Sequence, residues 1–343
     1  MKVIGGLFLA LLVVLAVGWF WYLQPELQAL SATGARAGDT TFEVPMGTTQ
    51  KNVIQRFEQQ GFVKDWRILY GYTRVMKLGA PKAGEYTFEP SLSVLEMFQK
   101  MRRGEVTQYT IGFPEGLTYK EIAARLEPTG FIKAAELIKA CEDPAFLKEN
   151  RVPGITCEGY LFPDTYKIVK GKTTRELTAM FIAHQHEVFA KMIAPHIGAL
   201  KLTPAEIVTL ASIVEKETGA PEERPHIAGL FLNRLKINKR LETDPTVIYA
   251  VSLTRGSFDG NIHRADLLFD HPYNTYKRAG LPPGPISNPG LKALEAVVRP
   301  TTSDDLYFVA QGAGGKHVFC PTFECHLAAV EKYQIAPHQK KKK

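Results

Sequence analysis

The sequence predicts an α+β protein: an N-terminal transmembrane helix, a small α+β module, then a mixed α/β domain built round one central buried helix. Three observations predict it. Residues 3–23 carry no charged side chain. Residues 40–105 read in the order strand, helix, helix, strand, helix. Residues 203–219 read as an apolar helix that opens on a strong cap and closes on two carboxylates. The length of 343 residues suits roughly two folded domains. A composition of 45% hydrophobic and 22% charged residues supports a packed core and excludes wholesale disorder.

The uncharged run, as a helix, spans about 30 Å, the thickness of a bilayer core. A cleaved signal peptide has a shorter apolar region, about 7–15 residues, before a small-x-small site. Here the run ends in Trp19, Phe20, Trp21 and Tyr22, side chains suited to a membrane interface. Lys2 precedes the run, and the next basic residue is Arg36. That asymmetry leaves a short cytoplasmic N-terminus and sends the rest of the chain outward. An anchor over 1–24 and a linker over 25–39 follow. The four cysteines suit an oxidising compartment. Cys141 and Cys157 form one neighbouring pair, Cys320 and Cys325 the other, and sequence does not choose among the three possible pairings. Neither pair has the spacing of a metal or haem site, so neither metal nor cofactor is expected.

From Thr41 the order becomes regular. Residues 41–44 alternate as a strand, Thr48 caps a helix that stops at Gly61, and residues 65–76 form a second helix. Residues 84–88 are a second strand, and Ser91 or Ser93 caps a helix ending at Gly104. Residues 106–156 read as a connecting α+β region. A third domain covers 157–335, where short apolar segments alternate with Pro/Gly turns dense in Tyr and Asn, the texture of binding loops. Residues 336–343 are a basic tail.

The formal charge is +7, but Lys340–Lys343 supply four of those charges. The body is nearly balanced and no recognition motif appears, so a nucleic-acid partner is not expected. There is no phosphate-binding G-x-x-x-x-G-K-[ST] or G-x-G-x-x-G motif either.

The chemistry points to residues 203–219. Thr203, Pro204 and Glu206 make a strong helix start. Glu217 shares a helix face with Leu210, Ile213 and Val214, while Glu215 points about 160° away. A carboxyl set against aliphatic side chains has its charged form disfavoured, which is what a general acid needs near neutral pH. An E-K-E at a helix end is otherwise a solvated charged turn, and spacing alone leaves both readings open. Tyr and Asn in the surrounding blocks suit a carbohydrate cleft. A conventional glycosidase needs a second carboxylate; Asp244 and Asp164 are candidates that nothing in the sequence brings near Glu217. Ser212 lacks a nucleophile elbow, and His226, His263, His271 and His317 read as structural or surface groups.

Six blocks carry a resemblance: LASIVEKET (210–218), FLNRL (231–235), LETDPTVIY (241–249), YNTY (273–276), GLPPG (280–284) and LYFVA (306–310). In this order they resemble the YceG-like family of peptidoglycan lytic transglycosylases, from the anchor to about Tyr333. The resemblance implies an inner-membrane enzyme with an extracytoplasmic catalytic domain and a LysM-like module at 40–105. Its substrate would be peptidoglycan glycan strands, cut internally between N-acetylmuramic acid and N-acetylglucosamine to leave 1,6-anhydro-muramoyl ends. Cell-wall synthases, the penicillin-binding proteins, are the partners expected. The catalytic glutamate falls in E-K-E and is carried to Glu217. Asn233 and Arg234 are candidates to hydrogen-bond it or to serve merely as structural pairs; with Asp244, Tyr273, Asn274 and Tyr276 they form the expected substrate-binding set. A lone acid on an apolar helix face suits this chemistry, because attack by the muramoyl C6 hydroxyl needs neither water nor a second carboxylate. The alternatives are a non-catalytic, membrane-anchored glycan-binding scaffold for synthases and a muramidase that uses water.

Overall fold

Alternation over Thr40–Val44 places Phe42 and Val44 on one side of a strand, and both are buried. The computed structural model describes residues 2–18, 21, 24–32, 38–198, 200–311 and 316–336. The chain divides into two units, residues 1–110 with 167–171, and residues 111–166 with 172–343.

In the first unit Thr40–Val44 pairs antiparallel with Gly84–Phe88, in the register Thr40↔Phe88, Phe42↔Tyr86, Val44↔Gly84. Helices Gln50–Gln59 and Trp66–Val75 lie between the strands in sequence, and Val94–Arg103 follows. Each starts on a side-chain cap: Thr49, Asp65, and Ser93 in a reciprocal box with Glu96. The cap of the first helix is thus Thr49 rather than Thr48, and Ser93 rather than Ser91 starts the third. An aromatic core holds the unit together, with Phe42 edge-on to Phe57 at 4.7 Å and Phe62, Tyr86 and Phe88 packed around them.

The stretch expected as a linker over 25–39 begins instead as helix Gln24–Ser31. Leu27 and Leu30, three residues apart on one helix face, pack against the aromatic core, which supplies the burial a short helix needs. Ahead of it, Lys2–Gly18 is helical. Among the described residues no helix is long and apolar enough to cross a membrane. Trp19, Phe20, Tyr22, Arg36 and the tail lysines 340–343 lie outside the described residues.

The second unit is organised by helix Pro204–Glu217. Thr203 and Glu206 close a capping box at its start, and Ile207 to Val214 are all buried. Burial around the whole circumference is what its unpatterned apolarity implies. Helices Arg224–Lys236, Asp244–Arg255 and Leu291–Val298 pack directly against it or against each other. Residues 111–156, expected as a connecting region, belong to this unit. Their helix Ala134–Cys141 packs against Tyr119–Leu126 and Thr174–Val188, and Cys141 is bonded to Cys157. Near the C-terminus Tyr307–Ala310 pairs antiparallel with His317–Cys320, and Cys320 is bonded to Cys325 at the start of helix Phe323–Val330. The neighbouring cysteines are therefore the ones joined.

Gly159 fixes the approach of the Glu158–Tyr166 block to the central helix. Its φ is +82°, and a Cβ there would lie 2.5 Å from Pro285 Cγ and 2.9 Å from Val208 Cγ1. Only glycine satisfies both the backbone conformation and the contact.

Candidate active site

The central helix stays apolar while it is buried and then ends on Glu215, Lys216 and Glu217, with Thr218 already extended. The two carboxylates meet different surroundings. Glu215 is fully engaged: Arg224 Nη2 lies 2.5 Å from Oε1, and the Gly290 amide donates to Oε2 at 3.0 Å. Glu115 approaches the same group, and Arg224 also contacts it at 3.4 Å. A Cβ on Gly290 would sit 2.3 Å from Glu115 Cδ, so a side chain there would displace the Glu115 carboxylate from its present place. Burial pushes Glu215 up to about 7, against the pull of the Gly290 amide and Arg224.

Glu217 turns the other way. Its Oε1 is buried and meets no donor in good hydrogen-bonding geometry; the Thr243 hydroxyl, likewise without a well-formed bond, stands close enough to act on it as a weak donor. Burial pushes the Glu217 carboxyl up to about 7. The neighbouring Thr243 hydroxyl pulls it down, the negative charge of Asp244 adds to the rise, and Arg234 opposes it. Near neutral pH this group is poised between acid and base, the condition for moving a proton in both directions. Asp244 stands at the first turn of helix Asp244–Arg255, exposed, and accepts a 2.7 Å hydrogen bond from Tyr276 Oη. Burial and Asp244 hold the Tyr276 phenol protonated, and Glu217 adds to that effect.

Four of the seven sequence-derived candidates thus gather: Glu217, Arg234, Asp244 and Tyr276. Three do not. The Asn233 amide donates to the Ser303 and Asp305 carbonyls, at 2.7 and 3.2 Å, and makes no bond to Glu217. Asn274 is wholly buried, and its amide donates to the carbonyls of Asp266, Leu267 and Phe269 while accepting from the Tyr276 amide. It shapes the loop that presents Tyr276 and has no surface to offer a sugar. Tyr273 packs 5.0 Å from the Tyr249 ring, and burial pushes its phenol up to about 12. Arg234 makes no hydrogen bond to Glu217 either. It is buried, donates to the Leu241 and Leu306 carbonyls at 2.6 Å each, and lies over the Tyr307 ring. It contributes a fixed positive charge near Glu217 while holding the segment that carries Thr243.

Ser212 is occupied as well, donating to the Thr209 carbonyl and accepting from the Ile286 amide. Among the described residues, no group of three or more His, Cys, Asp or Glu side chains could hold a metal ion.

Two buried residues near the site escape sequence reasoning. Glu158 receives hydrogen bonds from the Tyr119 amide, Asn288 Nδ2 and Tyr249 Oη, at 3.1, 2.9 and 3.1 Å, and burial pushes it up to about 8. Asn288 also accepts from the Leu161 amide and donates to the Leu117 carbonyl, tying three distant segments together. The E-G-Y-L-F-P-D-T-Y block stands out in sequence by texture; its partner 130 residues away does not.

A family model described as the YceG-like family matches residues 42–332. Two Streptococcus pneumoniae proteins named endolytic murein transglycosylase, from strains D39 and R6, are each 30% identical over 93% of this chain. This chain spans 63% of the length of each. A Bacillus subtilis protein of the same name is 28% identical over 87% of this chain and 85% of its own. A crystal structure of a YceG-like protein from Listeria monocytogenes has a TM-score of 0.58 at 32% identity, covering 84% of this chain and 98% of that one. With a family model matched over residues 42–332, most of its length, the chain belongs to the YceG-like family.

Proposed function

We propose that the protein is an endolytic lytic transglycosylase of peptidoglycan, with Glu217 as its single acid–base. The carrying observation is a half-buried carboxyl at the end of an apolar helix, with one buried oxygen that lacks a well-formed hydrogen bond and a proton affinity raised toward neutrality by that burial. Family membership and the names of the relatives support the substrate. In the reaction Glu217 gives its proton to the oxygen bridging N-acetylmuramic acid and N-acetylglucosamine, and the bond from the muramoyl C1 to that oxygen breaks. The C6 hydroxyl of the same muramoyl residue bonds to C1, and its proton passes to the Glu217 carboxylate. The acid is regenerated, no water is consumed, and the new end is a 1,6-anhydro ring. Asp244 and Tyr276 line the approach to Glu217, and Asp244 stabilises the positive charge that develops at C1. Arg234 is a positioning residue.

The first unit serves as a LysM-like glycan-holding module and the second as the catalytic domain. Residues 3–23 anchor the chain in the plasma membrane, with the N-terminus inside and both units outside; the two cystines suit that compartment. Cell-wall synthases are the partners of such an enzyme, since cutting nascent strands internally sets their length.

Mass analysis of fragments released from intact sacculi tests the proposal. The parent should give anhydro ends, and Glu217→Gln should lower their yield by roughly 10²–10⁴-fold with the fold intact. Reducing ends, heavier by one water, would identify a hydrolase instead. Unchanged anhydro product from Glu217→Gln would remove Glu217 from the chemistry.

A further inference from the structure

A cavity of about 270 Å³ lies at the opposite end of the central helix from Glu217, against Thr203, Pro204 and Ala205. The helix has 14 residues and is about 20 Å long, so the cavity takes no part in the proton transfer. Gln185 lines it, 3% exposed, and its amide forms no hydrogen bond among the described residues, with Oε1 buried outright. A buried amide left so is a cost that a bound ligand removes. Tyr160 lines the cavity too; burial pushes its phenol up to about 12, so it stays a donor, and its hydroxyl has no partner among the described residues. Arg151 stands exposed at the mouth and forms no ion pair among the described residues. His186 Nε2 donates to the Asn150 carbonyl at 2.9 Å, which fixes the loop that carries Arg151. The Ala205 amide belongs to the first helical turn, whose N–H groups have no intrahelical partner and carry the positive end of the dipole.

We propose that this cavity binds the free carboxyl end of a peptide, the terminus of a peptidoglycan stem. Arg151 and the helix N-terminus hold the carboxylate, the Tyr160 hydroxyl adds a donor, and the Gln185 amide pairs with the last peptide group. Pro153, Phe189 and Val208 supply an apolar wall for a small side chain. No carboxylate lines the cavity to repel an anion, and Glu206, in the same helical turn, is committed to the Thr203 amide and hydroxyl. The volume lies below the roughly 300–1,000 Å³ of drug-sized sites, which suits one or two small residues rather than a longer segment. The identity of the peptide rests on the transglycosylase reading; the site itself does not. An extended peptide of five residues spans about 17 Å. The lactyl ether that joins it to the sugar adds to that reach, so a stem on a muramoyl residue at Glu217 is long enough to end here. Such a site lets the enzyme read the stem while it cuts the glycan.

The experiment titrates the full chain in detergent with N-acetyl-D-alanyl-D-alanine and reads binding by calorimetry. The dipeptide should bind, and its C-terminal amide should bind tenfold or more weakly. Arg151→Gln, which removes the cation at an exposed position, and Gln185→Leu, which replaces the buried amide by an apolar group of similar size, should each weaken binding tenfold or more. The thermal midpoint of Gln185→Leu should equal or exceed the parent's, since no partner is lost; Arg151→Gln decides if Gln185→Leu misfolds. Glu217→Gln should bind as the parent does, because it lies at the other end of the helix. Absence of binding, equal binding of acid and amide, or binding that survives both substitutions overturns the site. Preference for N-acetyl-L-alanyl-L-alanine overturns the stem and assigns the cavity to a protein C-terminus. A parent that binds the D-dipeptide but releases no anhydro ends would sink the transglycosylase reading and leave the carboxylate site standing.

Discussion

Glu217 and Glu215 stand two residues apart on one helix turn and differ in what their oxygens meet. Glu215 is locked by an arginine and a backbone amide, whereas Glu217 keeps an unpaired oxygen against buried surroundings. Protonated Glu217 is the acid required for the first half-reaction, so activity should be retained below a pH of about 7 and fall above it as the carboxyl ionises. The negative charge of Asp244 holds that value up; Asp244→Asn should therefore move the alkaline limb of kcat/KM to lower pH, a direction that a purely structural Asp244 would not produce. Stability carries the same sign. A folded-state value raised above the unfolded one means that the contribution is fully present below about pH 4.5 and lost as pH rises through about 7. Glu217→Gln, which cannot ionise, should be more stable than the parent at pH 8 by about 1–3 kcal/mol and nearly equal at pH 4.5, read by chemical denaturation at the two pH values.

At the scale of the element, the central helix is positioned by irregular segments as much as by other helices. Ser212 accepts from the Ile286 amide, and Ser287 donates to the Ser212 carbonyl, so the loop after GLPPG is stitched to the middle of the helix. The Glu158–Tyr166 block closes on the same region through Gly159. Gly159→Ala should cost about 3 kcal/mol or more, since it combines a left-handed backbone with a clash against Pro285 and Val208. A thermal melt of the purified variant checks this, and a change under 1 kcal/mol would show that the contact relaxes. The capping boxes were legible from Thr/Ser and Glu three apart, because they are local. Asn233 and Asn274 misled for the opposite reason. Asn274 sits in a Tyr-rich loop and Asn233 near the end of a helix, and either amide reads as a ligand contact until the carbonyls it serves are seen; those of Asn233 belong to a segment 70 residues away whose placement no short pattern encodes.

For the whole molecule, oxidation state and compartment are linked. The Cys141–Cys157 bond closes a loop of 16 residues within the second unit. Replacing both cysteines by serine should lower that unit's stability by about 3 kcal/mol, measured by denaturant unfolding, and dithiothreitol should reproduce the loss in the parent. Insensitivity to reductant would argue against export to an oxidising space.

Sequence by itself determined the mixed helix-and-strand class, the order of elements over residues 40–104, the extent of the buried helix and the family, because these depend on short-range periodicity, caps and ordered motifs. Two carboxylates on the last turn of that helix were legible too. Which one keeps an oxygen without a well-formed bond, which asparagines are consumed by backbone, and how Glu158 and Asn288 tie distant segments together were settled by tertiary structure alone. Those outcomes depend on which carbonyls, amides and charges arrive from segments up to 130 residues away, and solvation, the quantity that sets a carboxyl's proton affinity, exists only once the chain has closed around it.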